Sequence, residues 1–135
     1  MEDSARPSSS HGETVLICDD ESRLANLTAG LLEEFGYGAA AVAQGGEALE
    51  WLLRNPGTIR VLLLDVNLTS GMSARELLSR LVKARVKIPV ILTSGLAADD
   101  VPEGLRRHEL VSSYLAKPYT VEELTRAVGV ALEGV

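Results

Sequence analysis

The sequence predicts an α/β domain built on a parallel sheet with helices on both faces. Two observations carry this. From residue 13 onward, short apolar runs alternate with amphipathic segments, giving five strand–helix pairs. The strongest runs, in "TVLIC", "VLLL" and "IPVILTS", are continuously apolar rather than alternating. That pattern marks strands buried on both sides, as parallel sheets require.

Each element has its own signal. "TVLIC" (14–18) is short and β-branched, so it reads as a buried strand. Leu24, Leu27, Leu31 and Phe35 recur at helical spacing, and Gly36 offers a C-terminal cap. "GAAAVA" (38–43) is a weaker strand suited to a sheet edge. "GEALEWLLRN" (46–55) reads as a helix closed by Pro56 and Gly57. "VLLL" (61–64) is the strongest strand. "SARELLSRLVKA" (73–84) is a helix with Ser73 and Glu76 as a capping box. "IPVILTS" (88–94) is a strand that tolerates Pro89 near its start. A short helix is expected within 99–108, weakened by Pro102 and Gly104. "SSYLA" (112–116) is the fifth strand. Thr120 and Glu123 form a second capping box, and Leu124, Ala127, Val128, Ala131 and Leu132 give the last helix its inner face.

Composition bounds the function. The chain has 135 residues, of which 46% are hydrophobic and 24% charged. That is one domain with an ordinary globular balance. Thirteen basic against 19 acidic residues leave a net charge of −6, which argues against a general nucleic-acid binder. A single cysteine, Cys18, forbids an internal disulfide and fits a cytoplasmic protein. It reads as a small core residue. No apolar run approaches the roughly 20 residues of a membrane helix. The start, "MEDSARPSSSHG" (1–12), reads as a disordered tail or linker, with the folded domain at 13–135. No internal repeat is evident, and no second domain is expected after the last helix.

The stretch "LLLDVNLTSG" (62–71) runs from a dry strand straight into Asp65. In open parallel sheets the binding crevice lies at the carboxyl ends of the strands. Strand one ends in Cys18 followed by Asp19, Asp20 and Glu21; strand three ends in Asp65; strand four ends in Thr93 and Ser94; Lys117 follows strand five. Crowded carboxylates repel unless a cation or proton intervenes. Their hard oxygens suit Mg²⁺, and a lysine with a hydroxyl opposite them suits a phosphoryl group. Asp65 then reads as a carboxylate nucleophile that accepts phosphate. Taken singly, Asp19 and Asp20 also suit a plain helix-start role, as does Glu21. His11 and His108 read as solvated, and Trp51 as packing on a helix face.

The motifs "VLICDDE", "LLLDVNL", "PVILTSG" and "YLAKPYT", in this order and spacing, resemble the receiver domain of two-component response regulators. The resemblance covers residues 13–133. It implies a flavodoxin-like sheet of strand order 2-1-3-4-5, and phosphoryl transfer from a histidine kinase or a histidine phosphotransfer protein. By position, Asp65 resembles the phosphoacceptor. Asp20 resembles a direct Mg²⁺ ligand, Asp19 one acting largely through water, and Asn67 the residue whose backbone carbonyl binds the metal. Lys117 resembles the lysine that contacts the phosphoryl group, and Pro118 the proline after a cis bond. Tyr114 resembles the switch aromatic; outside the resemblance it is a half-buried packing residue. Side chains alternate along a strand, so Thr93 and Ser94 cannot both face Asp65. The family places a small residue directly after the switch hydroxyl, and Gly95 therefore selects Ser94. Two family positions differ: Thr69 stands where proline is common, and Ser73 where glycine is common. The expected output surface is the face of the fourth helix, fifth strand and fifth helix.

Three classes remain in view. One is a phosphorylatable receiver, stand-alone or part of a hybrid kinase. Another is a pseudo-receiver that binds protein without taking phosphate; these usually lack one of the acids or the lysine, all present here. The third is an aspartyl-nucleophile phosphatase, which generally carries a further acid two residues after the nucleophile, where this chain has Asn67.

Overall fold

The computed structural model describes residues 14–97 and 100–133. The expected tail, residues 1–12, lies outside the described residues. The elements follow the predicted alternation: β1 (Thr14–Cys18), α1 (Ser22–Glu34), β2 (Gly38–Val42), α2 (Gly45–Arg54), β3 (Ile59–Asp65), α3 (Ala74–Lys83), β4 (Val90–Ser94), α4 (Glu103–Arg106), β5 (Val111–Ala116) and α5 (Val121–Glu133). The strands form one sheet in the order β2-β1-β3-β4-β5. Every neighbouring pair is parallel. This is the flavodoxin-like arrangement that the resemblance implies.

Alternation along the strands builds two cores. Leu16, Cys18, Leu62, Leu64, Val90 and Leu92 point to the face covered by α2, α3 and α4. Val15, Ile17, Val61, Leu63 and Ile91 point to the face covered by α1 and α5. Central strands that feed both cores must be apolar at every position, which is why "VLLL" is continuous. Each such side chain contributes about 1.5–3 kcal/mol of burial.

The helices differ from expectation in which face they bury. On α1 the buried residues are Ala25, Thr28 and Leu32. Leu27 and Phe35 are 61% and 51% exposed. The stripe of large residues thus lies beside the inner face, because small residues let the helix approach the sheet closely. The hydroxyls of Thr28 and Tyr119 lie 2.8 Å apart and tie α1 to the segment after β5. Trp51 on α2 is also partly exposed, at 41%, since Ala48 and Leu52 take the inner positions. On α5 the expected face holds: Leu124, Val128 and Ala131 are buried.

The caps follow the same local logic. Gly36 has a φ of 92° and donates its N–H to the Glu33 carbonyl, ending α1. Ser73 accepts the Glu76 N–H at 3.1 Å. The Glu76 carboxylate pairs with Arg80 instead of closing the box. Thr120 and Glu123 make both bonds of theirs, at 2.8 and 3.0 Å. The fourth helix is a single turn of four residues, as short as Pro102 and Gly104 suggest.

Candidate functional site

The parallel sheet brings the carboxyl ends of its strands to one edge. Cys18 pairs with Leu64 in register, and Asp65 with Thr93. Asp19, the residue after β1, therefore lies close to the end of β3. Lys117 is fixed by its N–H, which donates to the Ser94 carbonyl at 2.7 Å. The Lys117–Pro118 peptide bond is cis, as the resemblance implies.

Side chains converge on this lysine. The Lys117 ammonium lies 2.9 Å from Asp19, 2.8 Å from Glu21 and 3.4 Å from Asp65. Asp19 and Asp65 are both buried. Burial opposes a charge on Lys117, but its bonds to Glu21 and Asp19 and the nearby Asp65 charge win, holding its pKa above the usual lysine value. At Asp65 the balance goes the other way for its anion. Burial raises its pKa, the Asn67 N–H lowers it, and the Asp19 charge raises it further. Lys117 offsets only part of that rise. Asp65 is thus an ionisable carboxylate in a dry, negatively charged setting, with one oxygen facing an ammonium. Cys18, just beneath, has its thiol pushed up to about 12 by burial and then by the neighbouring acids, so it is an inert core residue.

The loop after β3 completes the edge. The Asn67 N–H donates to Asp65 Oδ1 at 3.1 Å, and its side-chain amide reaches Ser94 Oγ at 3.4 Å. Ser94 Oγ also accepts the Leu96 N–H at 3.0 Å. Ser94 shares a strand face with Val90 and Leu92, whereas Thr93 shares the opposite face with Ile91. The Tyr114 hydroxyl donates to the Leu96 carbonyl, so its ring lies against the loop after β4.

The structure brings together Asp19, Asp65, Lys117, Asn67 and Ser94. Asp20 lies apart from this convergence: its Oδ2 accepts the Thr69 N–H at 3.1 Å and the Thr69 hydroxyl at 2.7 Å. Those bonds, the hydroxyl first, hold the Asp20 carboxyl below the usual carboxylate range. Among the described residues, the acids whose oxygens lie within 4.8 Å of one another are Asp19, Glu21 and Asp65. Hard oxygens at that spacing could hold a divalent ion, and the donor set fits Mg²⁺. Glu21 and Thr69 are the two residues that sequence reasoning undervalued. Glu21 looked like a helix-start charge, and it does stand just before α1, yet its side chain makes no cap bond and reaches Lys117 instead. Thr69 stood out only as a replaced proline, and the replacement supplies two donors that proline lacks.

Comparison with known proteins agrees with this geometry. The profile of the response regulator receiver domain matches residues 15–129. The uncharacterised transcriptional regulatory protein YkoG of Bacillus subtilis (strain 168) is 34% identical over 119 residues, covering 87% of this chain and 50% of that protein. The sensory transduction protein RegX3 of Mycolicibacterium smegmatis is 35% identical over 120 residues, covering 88% of this chain and 50% of that protein. The chain therefore spans about half the length of these relatives. Among solved structures, a response regulator receiver domain protein from Clostridium thermocellum superposes with a TM-score of 0.80 at 26% identity, over 90% of this chain and 95% of that one. A sheet of order 2-1-3-4-5, an acid edge closed by one lysine, and a profile match over most of the chain place it in one family: the chain belongs to the response regulator receiver domains.

Proposed function

We propose that this chain is a phosphoacceptor switch, taking a phosphoryl group on Asp65 from a histidine kinase or a histidine phosphotransfer protein. One observation carries the reading: Asp65 is buried at 4% exposure with Lys117 Nζ 3.4 Å from its Oδ2. A buried carboxylate whose pKa is raised by burial, sharing one ammonium with Asp19 and Glu21, is the kind of group that functional sites use. The Asp65 carboxylate attacks the phosphorus of a phosphohistidine. The P–N bond breaks, the imidazole leaves with its electron pair and takes a proton, and an acyl phosphate forms on Asp65. Lys117 is placed to balance charge on the phosphoryl oxygens. In this reading the Ser94 hydroxyl, which lies 3.4 Å from the Asn67 amide, donates to another of them.

Asp19, Asp20, Asp65 and the Asn67 backbone carbonyl are the proposed Mg²⁺ ligands, with Glu21 as a further candidate. Bound there, Mg²⁺ would neutralise the acids and the incoming phosphate oxygens. In this reading Ser94 shifts toward the phosphoryl group and Tyr114 turns inward, remodelling the face of α4, β5 and α5. A partner protein or an attached domain reads that face. The role is signalling rather than turnover, and its setting is the cytoplasm. Among the described residues, no helix is long and apolar enough to cross a membrane.

The test is intact-mass spectrometry after incubation with acetyl phosphate. Wild type is expected to gain one phosphoryl group only with Mg²⁺ present, and Asp65→Asn none. Equal labelling of the variant would remove Asp65 from the role. No labelling of either would favour a receiver-like binding module.

A further inference from the structure

We propose that Thr69 is a positioning residue that restrains Asp20 and so sets how readily the acid edge takes up a divalent cation. The proposal rests on the reading of that edge as a Mg²⁺ site. Asp19 and Asp65 are already gathered about Lys117, at 2.9 and 3.4 Å. Asp19 is further fixed by the Glu21 N–H at 2.8 Å, and Asp65 by the Asn67 N–H at 3.1 Å. Asp20 is held from the other side. Two donors of one residue converge on its Oδ2, the Thr69 N–H at 3.1 Å and the Thr69 hydroxyl at 2.7 Å. The second is a short bond to a charged acceptor, the strong kind. Asp20 is absent from the convergent trio of Asp19, Glu21 and Asp65.

Asp20 lies outside that trio, so a cation that recruits it must shift its carboxylate, and the two bonds to Thr69 resist that shift. The latch opposes cation binding, and by reciprocity cation binding loosens the loop between β3 and α3 that carries Thr69. The loop can respond, because Thr69 is exposed and Gly71, with a φ of 71°, turns the chain two residues later. The residue type matters in a graded way. Serine keeps both donors, valine keeps only the N–H, and proline keeps neither.

The experiment is calorimetric titration of the metal-free chain with MgCl₂. Thr69→Ser should bind like wild type. Thr69→Val should bind roughly three- to tenfold more tightly, the range expected for losing one competing hydrogen bond. Thr69→Pro should bind at least as tightly as Thr69→Val. In an Asp20→Ala background, which removes the acceptor altogether, Thr69→Val should change nothing, which shows that the effect runs through Asp20. A second readout is the Thr69 amide in a ¹⁵N-correlated NMR spectrum, which should move upfield as Mg²⁺ is added to wild type. Equal or weaker binding by Thr69→Val and Thr69→Pro would overturn the proposal while leaving the metal site intact. A blank titration of wild type would instead overturn the metal reading, and the latch with it.

Discussion

Strand β3 is buried without a break from Val61 to Asp65, whereas β5, two strands over, is buried only at Leu115. The same contrast runs through the helices. The third helix buries Ala74, Leu77, Leu78 and Leu81, while α4 is one turn that buries Leu105. The acid edge is thus mounted on a densely buried strand, close to a thinly buried one. Groups that must meet to a fraction of an ångström need rigid supports. A surface that must change shape is drawn from the low-stability end of the structure. Ser94 and Lys117 sit at the seam, joined by the Lys117 N–H to the Ser94 carbonyl.

The largest test of this contrast is a pair of truncations. Leu64→Ala, in the fully buried run of β3, should cost about 3 kcal/mol or more. Leu105→Ala, in the single turn of α4, should cost roughly 1–2 kcal/mol, because so short a helix can relax around the gap. Urea unfolding measures both. Equal losses would erase the difference between the two regions.

Next comes the lysine that closes the edge. Lys117→Ala leaves Asp19, Glu21 and Asp65 without their cation and should cost about 2 kcal/mol at pH 7. The native pKa of Lys117 is raised, so its contribution is fully present below the ordinary lysine range. It is lost as pH rises through the native value. The loss in the variant should shrink when Mg²⁺ is added, because the ion replaces the missing charge. A Mg²⁺-independent loss, followed by thermal unfolding, would count against electrostatics as its cause.

The third expectation has the opposite sign. The pKa of Asp65 is raised by burial, so its anion destabilises the fold. Asp65→Asn should gain on the order of 1 kcal/mol at pH 7. That gain is complete above the raised native pKa. It fades as pH falls toward the unfolded carboxylate value of about 3.9. Thermal melts from pH 7 to pH 4 would reveal it. A variant less stable than wild type at neutral pH would contradict the charge crowding inferred here.

The smallest effect concerns Tyr114, whose hydroxyl donates to the Leu96 carbonyl. Tyr114→Phe should change global stability by about 0.5 kcal/mol while speeding amide exchange at residues 95–97. Unchanged exchange there would mean that this bond does not hold the loop.

How much of this was legible in the sequence follows from the same physics. The central strands announced themselves because burial on both sides leaves no polar positions. The edge strand "GAAAV" was legible as weak because its small residues bury little. The inner face of α1 was not. Leucine spacing pointed to Leu27 and Phe35, but closeness to the sheet selected Ala25, Thr28 and Leu32. Size and burial part company wherever a helix lies tight on a sheet. At the edge, Asp19, Asp65 and Lys117 were readable because strand ends place them by topology alone. Glu21 on Lys117 and Thr69 on Asp20 were not, since each depends on loop geometry that no periodicity encodes. The tail expected at residues 1–12 lies outside the described residues.

The central claim is that a phosphoryl group received on the dense half is read on the thin half. Beryllofluoride, a stable mimic of the phosphoryl group, tests it by NMR on the Mg²⁺-loaded chain. Backbone shifts are expected at the acid edge and also across residues 94–122, including β5. Ser94→Ala should leave the first set and mute the second. Shifts confined to the acid edge in wild type would contradict the account, and would leave a chain that only passes phosphate onward.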